Sequence, residues 1–93
     1  MEGFNQLNKA FESRVRMGVM SILIVNHWVS YKELKNILRV TDGNLASHIT
    51  SLARKQFIEI KKQFIGKKPK TTYKITNLGK VAFRDHISGL EKL

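Results

Sequence analysis

Between positions 42 and 55 every large apolar side chain falls on one side of a helix, and the other side holds only small polar or basic groups. At about 100° per residue, Leu45, Ala46, Ile49, Leu52 and Ala53 occupy roughly a third of the circle. Ser47 and Ser51 lie opposite them, with Asn44 and Arg54 beside and His48 and Lys55 at one border. A merely solvated face would hold Glu and Lys in i,i+4 pairs. This one has no acid after Asp42, and its centre is hydroxyl and amide groups. Such a helix buries one side and offers the other, at close range, to a polar, negatively charged, groove-shaped partner. Base edges fit that description, because Asn bonds adenine bidentately and Ser donates or accepts. Gly43, in the first turn, lets a backbone approach closely.

The flanking segments frame this helix. Ser30-Tyr31-Lys32-Glu33 is a capping box, in which the Ser hydroxyl and the Glu carboxylate each satisfy an orphan backbone N–H. The helix it opens carries Leu34, Ile37 and Leu38 at i, i+3, i+4. Arg39 and Val40 leave room only for a sharply angled second helix, capped by Thr41 or Asp42. An aspartate there also suits the helix dipole. After Gln56 the period becomes alternating: Phe57, Ile58 and Ile60 begin a strand that runs to Phe64-Ile65. Gly66-Lys67-Lys68-Pro69-Lys70 reads as a hairpin tip, and Thr71 to Ile75 as the return strand, with Tyr73 and Ile75 on one face. Lysines at an exposed tip suit phosphates or a minor groove; they also protect a sheet edge from aggregation. The expected fold is mainly α with a small β-hairpin (α+β), helices flanking a two- to three-stranded sheet.

At the N-terminus Phe4, Leu7 and Phe11 recur at helical spacing over residues 3–11. Ser13 then caps a helix in which Val15, Val19, Met20, Ile22, Leu23 and Ile24 give a wide apolar surface, ended by Asn26 and His27. Thr76 caps the last helix, where Leu78, Ala82 and Leu93 line one face and Phe83, Ile87 and Leu90 a second. That surface is broader than a small domain easily covers, so the terminal segments, about 1–25 and 76–93, are expected to meet a partner subunit. Ninety-three residues make a single domain, 1–93, with one modest core.

Charge narrows the partner. Seventeen Lys and Arg stand against seven Asp and Glu, net +10. From Gly43 to Arg84 Glu59 is the only acid, so the positive charge is concentrated, as a polyanion footprint requires. The absence of cysteine excludes disulfides, thiolate nucleophiles and zinc-finger sites. Three histidines, His27, His48 and His86, are scattered, which disfavours a metal site. Asp85 and His86 diverge on a helix and do not chelate together. No glycine sits in a phosphate-cradling motif, and no carboxylate or nucleophile–base pair stands out, so neither a cofactor nor an enzymatic activity is expected. No run approaches the ~20 apolar residues of a membrane span, and Met1-Glu2-Gly3-Phe4 does not begin a signal segment. A cytoplasmic protein without a membrane partner is the expectation. Trp28 and Tyr31 read as packing residues rather than as a stacking platform.

Arg14 to Leu90 resembles the small winged-helix regulators related to the MarR and ArsR groups, and most closely the stand-alone winged-helix DNA-binding domains of bacteria and archaea. The resembling pieces are the Arg-x-x-Val-x-x-Ile-Leu pattern of Arg16 to Leu23, the run Thr41-Asp42-Gly43-Asn44-Leu45-Ala46-Ser47-His48-Ile49, and the wing Phe64 to Thr71. Ile75-Thr76-Asn77-Leu78-Gly79, entering the last helix, matches too. The resemblance implies a winged helix-turn-helix and a homodimer on a pseudo-palindromic double-stranded DNA site. The 42–55 helix would lie in the major groove and the wing, 64–73, on flanking backbone or minor groove. In that arrangement Asn44, Ser47 and Ser51 meet base edges and His48 a base or phosphate. Thr41, Arg54 and Lys55 fix phosphates, and Lys67, Lys68 and Lys70 bind from the wing. The wing tip carries lysine where arginine is often favoured. The terminal helices are short for the larger MarR proteins, so the resemblance stops before their effector pocket; a small-molecule effector is left open. Two rival readings are a protein-interaction module docking an acidic partner and an RNA-binding module. The aromatic-free face speaks against single-stranded RNA.

Overall fold

The computed structural model describes residues 2–93. Its helices are α1 (Glu2–Asn5), α2 (Arg14–Val25), α3 (Tyr31–Leu38), α4 (Asp42–Arg54) and α5 (Asn77–Glu91), and its strands are β1 (Val29–Ser30), β2 (Ile58–Ile65) and β3 (Lys68–Ile75). The antiparallel sheet has the order β1-β3-β2. This is a winged helix, mainly α with a small β wing.

Local chemistry sets the boundaries. Ser13, Thr41 and Thr76 cap α2, α4 and α5, each side chain accepting from the backbone N–H three residues on. The Ser30–Glu33 capping box is complete at the head of α3. Arg39 ends α3 in the left-handed region (φ 54°), which turns the chain sharply into Thr41. Two further bonds hold the corner between α3 and α4. The Tyr31 hydroxyl donates to the Asp42 carbonyl at 3.0 Å, and Lys35 Nζ lies 3.1 Å from the Asp42 carboxylate.

Phe11, Val19, Met20, Leu23, Leu34, Leu45 and Leu52 are fully enclosed, so α2, α3 and α4 share one core with the N-terminal segment. Val29, Ile58, Tyr73 and Ile75 close it from the root of the sheet, and Phe83 closes it from α5. The Phe11 ring lies 5.3 Å from that of Phe57 and 5.5 Å, edge-on, from that of Phe83. Trp28, at the rim beside β1, carries Lys61 Nζ 5.1 Å and Lys74 Nζ 5.8 Å from its ring centroid.

Three expectations are corrected. Residues 3–11 do not form one amphipathic segment. The Asn8 side chain accepts from the Ala10 N–H and starts a separate 3₁₀ turn, Lys9–Phe11, which leaves Phe4 exposed while Phe11 is buried. The hairpin tip is two residues, Gly66-Lys67, rather than five, because Ile65 pairs with Lys68. Gly66 at φ +66° followed by a residue of ordinary φ suits a II′ turn, whose twist matches the strands. Pro69 fits inside β3 for a geometric reason. The pair closing a two-residue turn is hydrogen-bonded, so at the next pair, Phe64–Pro69, the backbone N of Pro69 faces away from β2, and β1 reaches only to Thr72. The third correction is Ala46, exposed rather than buried with Leu45 and Ile49.

At the other end of the molecule α1 crosses α5 at two facing glycines. A Cβ on Gly3 would stand 2.5 Å from the Gly89 carbonyl, and one on Gly89 2.7 Å from the Gly3 carbonyl. The Asn8 N–H also donates to Nδ1 of the buried His86, tying the N-terminal segment to α5.

Candidate nucleic-acid interface

Leu45, Ile49 and Leu52 bury one side of α4 and thereby fix what the other side presents. Exposed along it are Gly43, Asn44, Ala46, Ser47, Thr50 and Arg54. Gly43 faces open space, with nothing within 4 Å of where a Cβ would be, so the fold itself leaves room there. Ser51 and His48 are half-buried. The presented stripe is therefore centred on Ser47, Thr50 and Arg54, rotated away from the Ser47–Ser51 axis expected from the sequence.

One flank of α4 is met by a side chain from α2. Arg16 reaches from that helix to the flank of α4, where its Nε–H donates to His48 Nδ1 at 2.9 Å and its Nη1 to the Ala10 carbonyl at 3.4 Å. Burial, and secondarily the Arg16 guanidinium, lower the His48 pKa from its ordinary value, so the imidazole is held neutral. Thr41 has a structural duty, since its hydroxyl caps α4 at the Asn44 N–H, 3.3 Å away. Arg54 and Lys55 are exposed at the end of the helix.

The wing supplies a second basic element. Lys67 occupies the turn, while Lys68 and Lys70 belong to β3; all three are exposed, as are Phe64 and Ile65 beside them. Between the wing and the first turn of α3 runs an open groove of about 630 Å³, with Tyr31, Tyr73 and Pro69 on its wall and Lys32, Lys68 and Lys70 at its edge. The candidate residues thus fall into two groups, Gly43 to Lys55 on one helix and Lys67 to Lys70 on the wing.

Sequence reasoning missed Thr50, Lys32 and Arg16. Thr50 was legible, since it stands three residues after Ser47 and so beside it on a helix. Lys32 and Arg16 were not, because their positions depend on how α3 and α2 meet the wing and α4. Among the described residues no helix is long and apolar enough to cross a membrane.

Comparison with known proteins agrees with this fold. Residues 15–93 match the family model described as winged helix DNA-binding domain. An uncharacterised protein of Methanocaldococcus jannaschii is 40% identical over 79 residues, which cover 85% of this chain and 86% of that protein. The solved structure of a transcriptional regulator homologue protein from Pyrococcus horikoshii OT3 superimposes with a TM-score of 0.80 at 27% identity, covering 99% of this chain and 93% of that one. The chain belongs to the family of winged helix DNA-binding domains.

Proposed function

We propose that this protein is a transcriptional regulator that binds double-stranded DNA sequence-specifically as a homodimer. The α4 helix enters the major groove and the wing lies on flanking backbone or minor groove. The observation that carries the reading is the exposed stripe of α4, where Asn44, Ser47 and Thr50 are short, uncharged and backed by a buried face. Such side chains reach base edges, while the lysines around them supply a sequence-independent attraction to phosphate. Asn44, Ser47 and Thr50 are assigned to bases, with the half-buried Ser51 standing beside them, and Thr41, Arg54 and Lys55 to phosphates. Gly43 allows close approach, and Lys67, Lys68 and Lys70 bind from the wing.

Dimerisation is supported by apolar side chains left exposed in the terminal segments: Phe4, Leu78, Val81, Leu90 and Leu93. Surface of this kind marks an interaction site when it is contiguous. Selection of random duplexes against the purified protein, with its mass in solution measured alongside, tests both parts. An inverted repeat with half-sites about one helical turn apart is the expected product. Tight binding without sequence preference would instead make it an architectural protein, and no binding would favour the protein-interaction module.

A further inference from the structure

Arg16 has no place in the DNA contacts proposed above, yet it makes the one side-chain hydrogen bond between α2 and α4 found among the described residues. An arginine nitrogen only donates, so His48 Nδ1 must be the acceptor and its proton must sit on Nε2. The far nitrogen, Nε2, has no partner among the described residues and is not enclosed. The ring is therefore oriented, not free. One edge is tied to a cation from the neighbouring helix, and the other presents a single N–H donor at the border of the Asn44–Ser47 stripe. An untethered histidine there would offer either a donor or an acceptor, according to its tautomer, and would discriminate poorly.

We propose that Arg16 is a positioning residue for base recognition, fixing His48 as a donor-only reader of an acceptor edge in the major groove. The chemical preference follows from the groove's pattern: guanine presents two adjacent acceptors, N7 and O6, whereas cytosine presents a donor. At the base pair under His48 the protein prefers G·C over C·G on the contacted strand. The inference rests on the reading of α4 as the major-groove helix. It adds which atom does the reading and which residue outside the interface sets it. The Ala10 carbonyl, at 3.4 Å from Nη1, is the second tie that keeps the guanidinium in place, so the N-terminal segment shares in positioning.

Two measurements test it. Nitrogen-15 spectra of the ring in the free protein at neutral pH should show His48 protonated at Nε2 and bare at Nδ1, and Arg16→Met should convert it to a tautomer mixture. A ring protonated at Nδ1 in the wild-type protein overturns the proposal. The second measurement is affinity for the selected duplex carrying each single base-pair change. Arg16→Met and His48→Leu should each lose about three- to tenfold discrimination at one and the same base pair, the worth of a net hydrogen bond. The double variant should lose no more than either alone. Discrimination elsewhere in the site should be unchanged. Uniform weakening of all duplexes by Arg16→Met, with a shallower salt dependence, would make Arg16 a phosphate contact and refute the positioning role. Should Arg16→Met fail to fold, the wild-type ring spectrum and His48→Leu still decide. If the wild-type protein binds no duplex, the DNA reading falls and the base preference with it, while the spectrum still decides the tether.

Discussion

Among the described residues, two other than glycine adopt the left-handed region, Arg39 at φ 54° and Gln56 at φ 64°. Each sits where a helix must stop at once. Arg39 turns α3 into α4, and Gln56 turns α4 into β2, its carbonyl accepting the Thr76 hydroxyl at 2.7 Å. A side chain there costs about 1 kcal/mol that glycine does not. Gln56→Gly should therefore raise stability by about 0.5–1 kcal/mol, read as a higher urea midpoint with unchanged slope. His48 gives the opposite kind of sensitivity. Its pKa is lowered in the folded chain by burial and then by Arg16, so the unfolded chain takes up the proton more readily. Stability from this group is complete above the ordinary value of about 6.5 and is lost as pH falls through it toward the lower folded value. Urea midpoints between pH 8 and pH 5 should fall less steeply for His48→Gln than for the wild-type protein.

At the scale of elements, the proposed function divides recognition between α4 and the wing. Lys67→Ala should weaken all duplexes alike and lower the salt slope by about one unit, since one phosphate contact is lost. Asn44→Ala should instead cost about 1–3 kcal/mol at particular base pairs, measured by competition among site variants. Gly66→Val should unsettle the wing without touching α4, because a β-branched residue resists positive φ. Elements of this kind were legible in the sequence where chemistry is local. The capping box at Ser30, the caps at Ser13 and Thr76 and the buried face of α4 depend on neighbours in the chain. The tip of the wing was misread because Lys68-Pro69-Lys70 has the composition of a turn, whereas its pairing is set by Ile65 and Phe64 across the strand. The tie at the His48 border of α4 was hidden for a related reason, since its donor, Arg16, stands 32 residues before it in the chain.

The molecule as a whole has two ends with different demands. One carries α1 against α5 through the Gly3–Gly89 crossing, and along α5 Leu78, Val81 and Leu90 remain exposed. Replacing both Leu78 and Val81 by Glu should convert the proposed dimer to a folded monomer in sedimentation, with the helical circular dichroism kept because neither side chain is packed against the core, and with Tm lowered by the lost association. At the other end, the wing projects with only Ile58 of β2 buried. The indole at the root of that wing has its own consequence. Trp28 is the only tryptophan in the chain, and both ammonium groups near its ring come from the wing strands. Phosphates that draw Lys61 or Lys74 off the ring will change its fluorescence, whereas contact by α4 alone will not. The protein thus carries a built-in optical gauge of wing engagement, able to distinguish a fully seated complex from one held by a single helix.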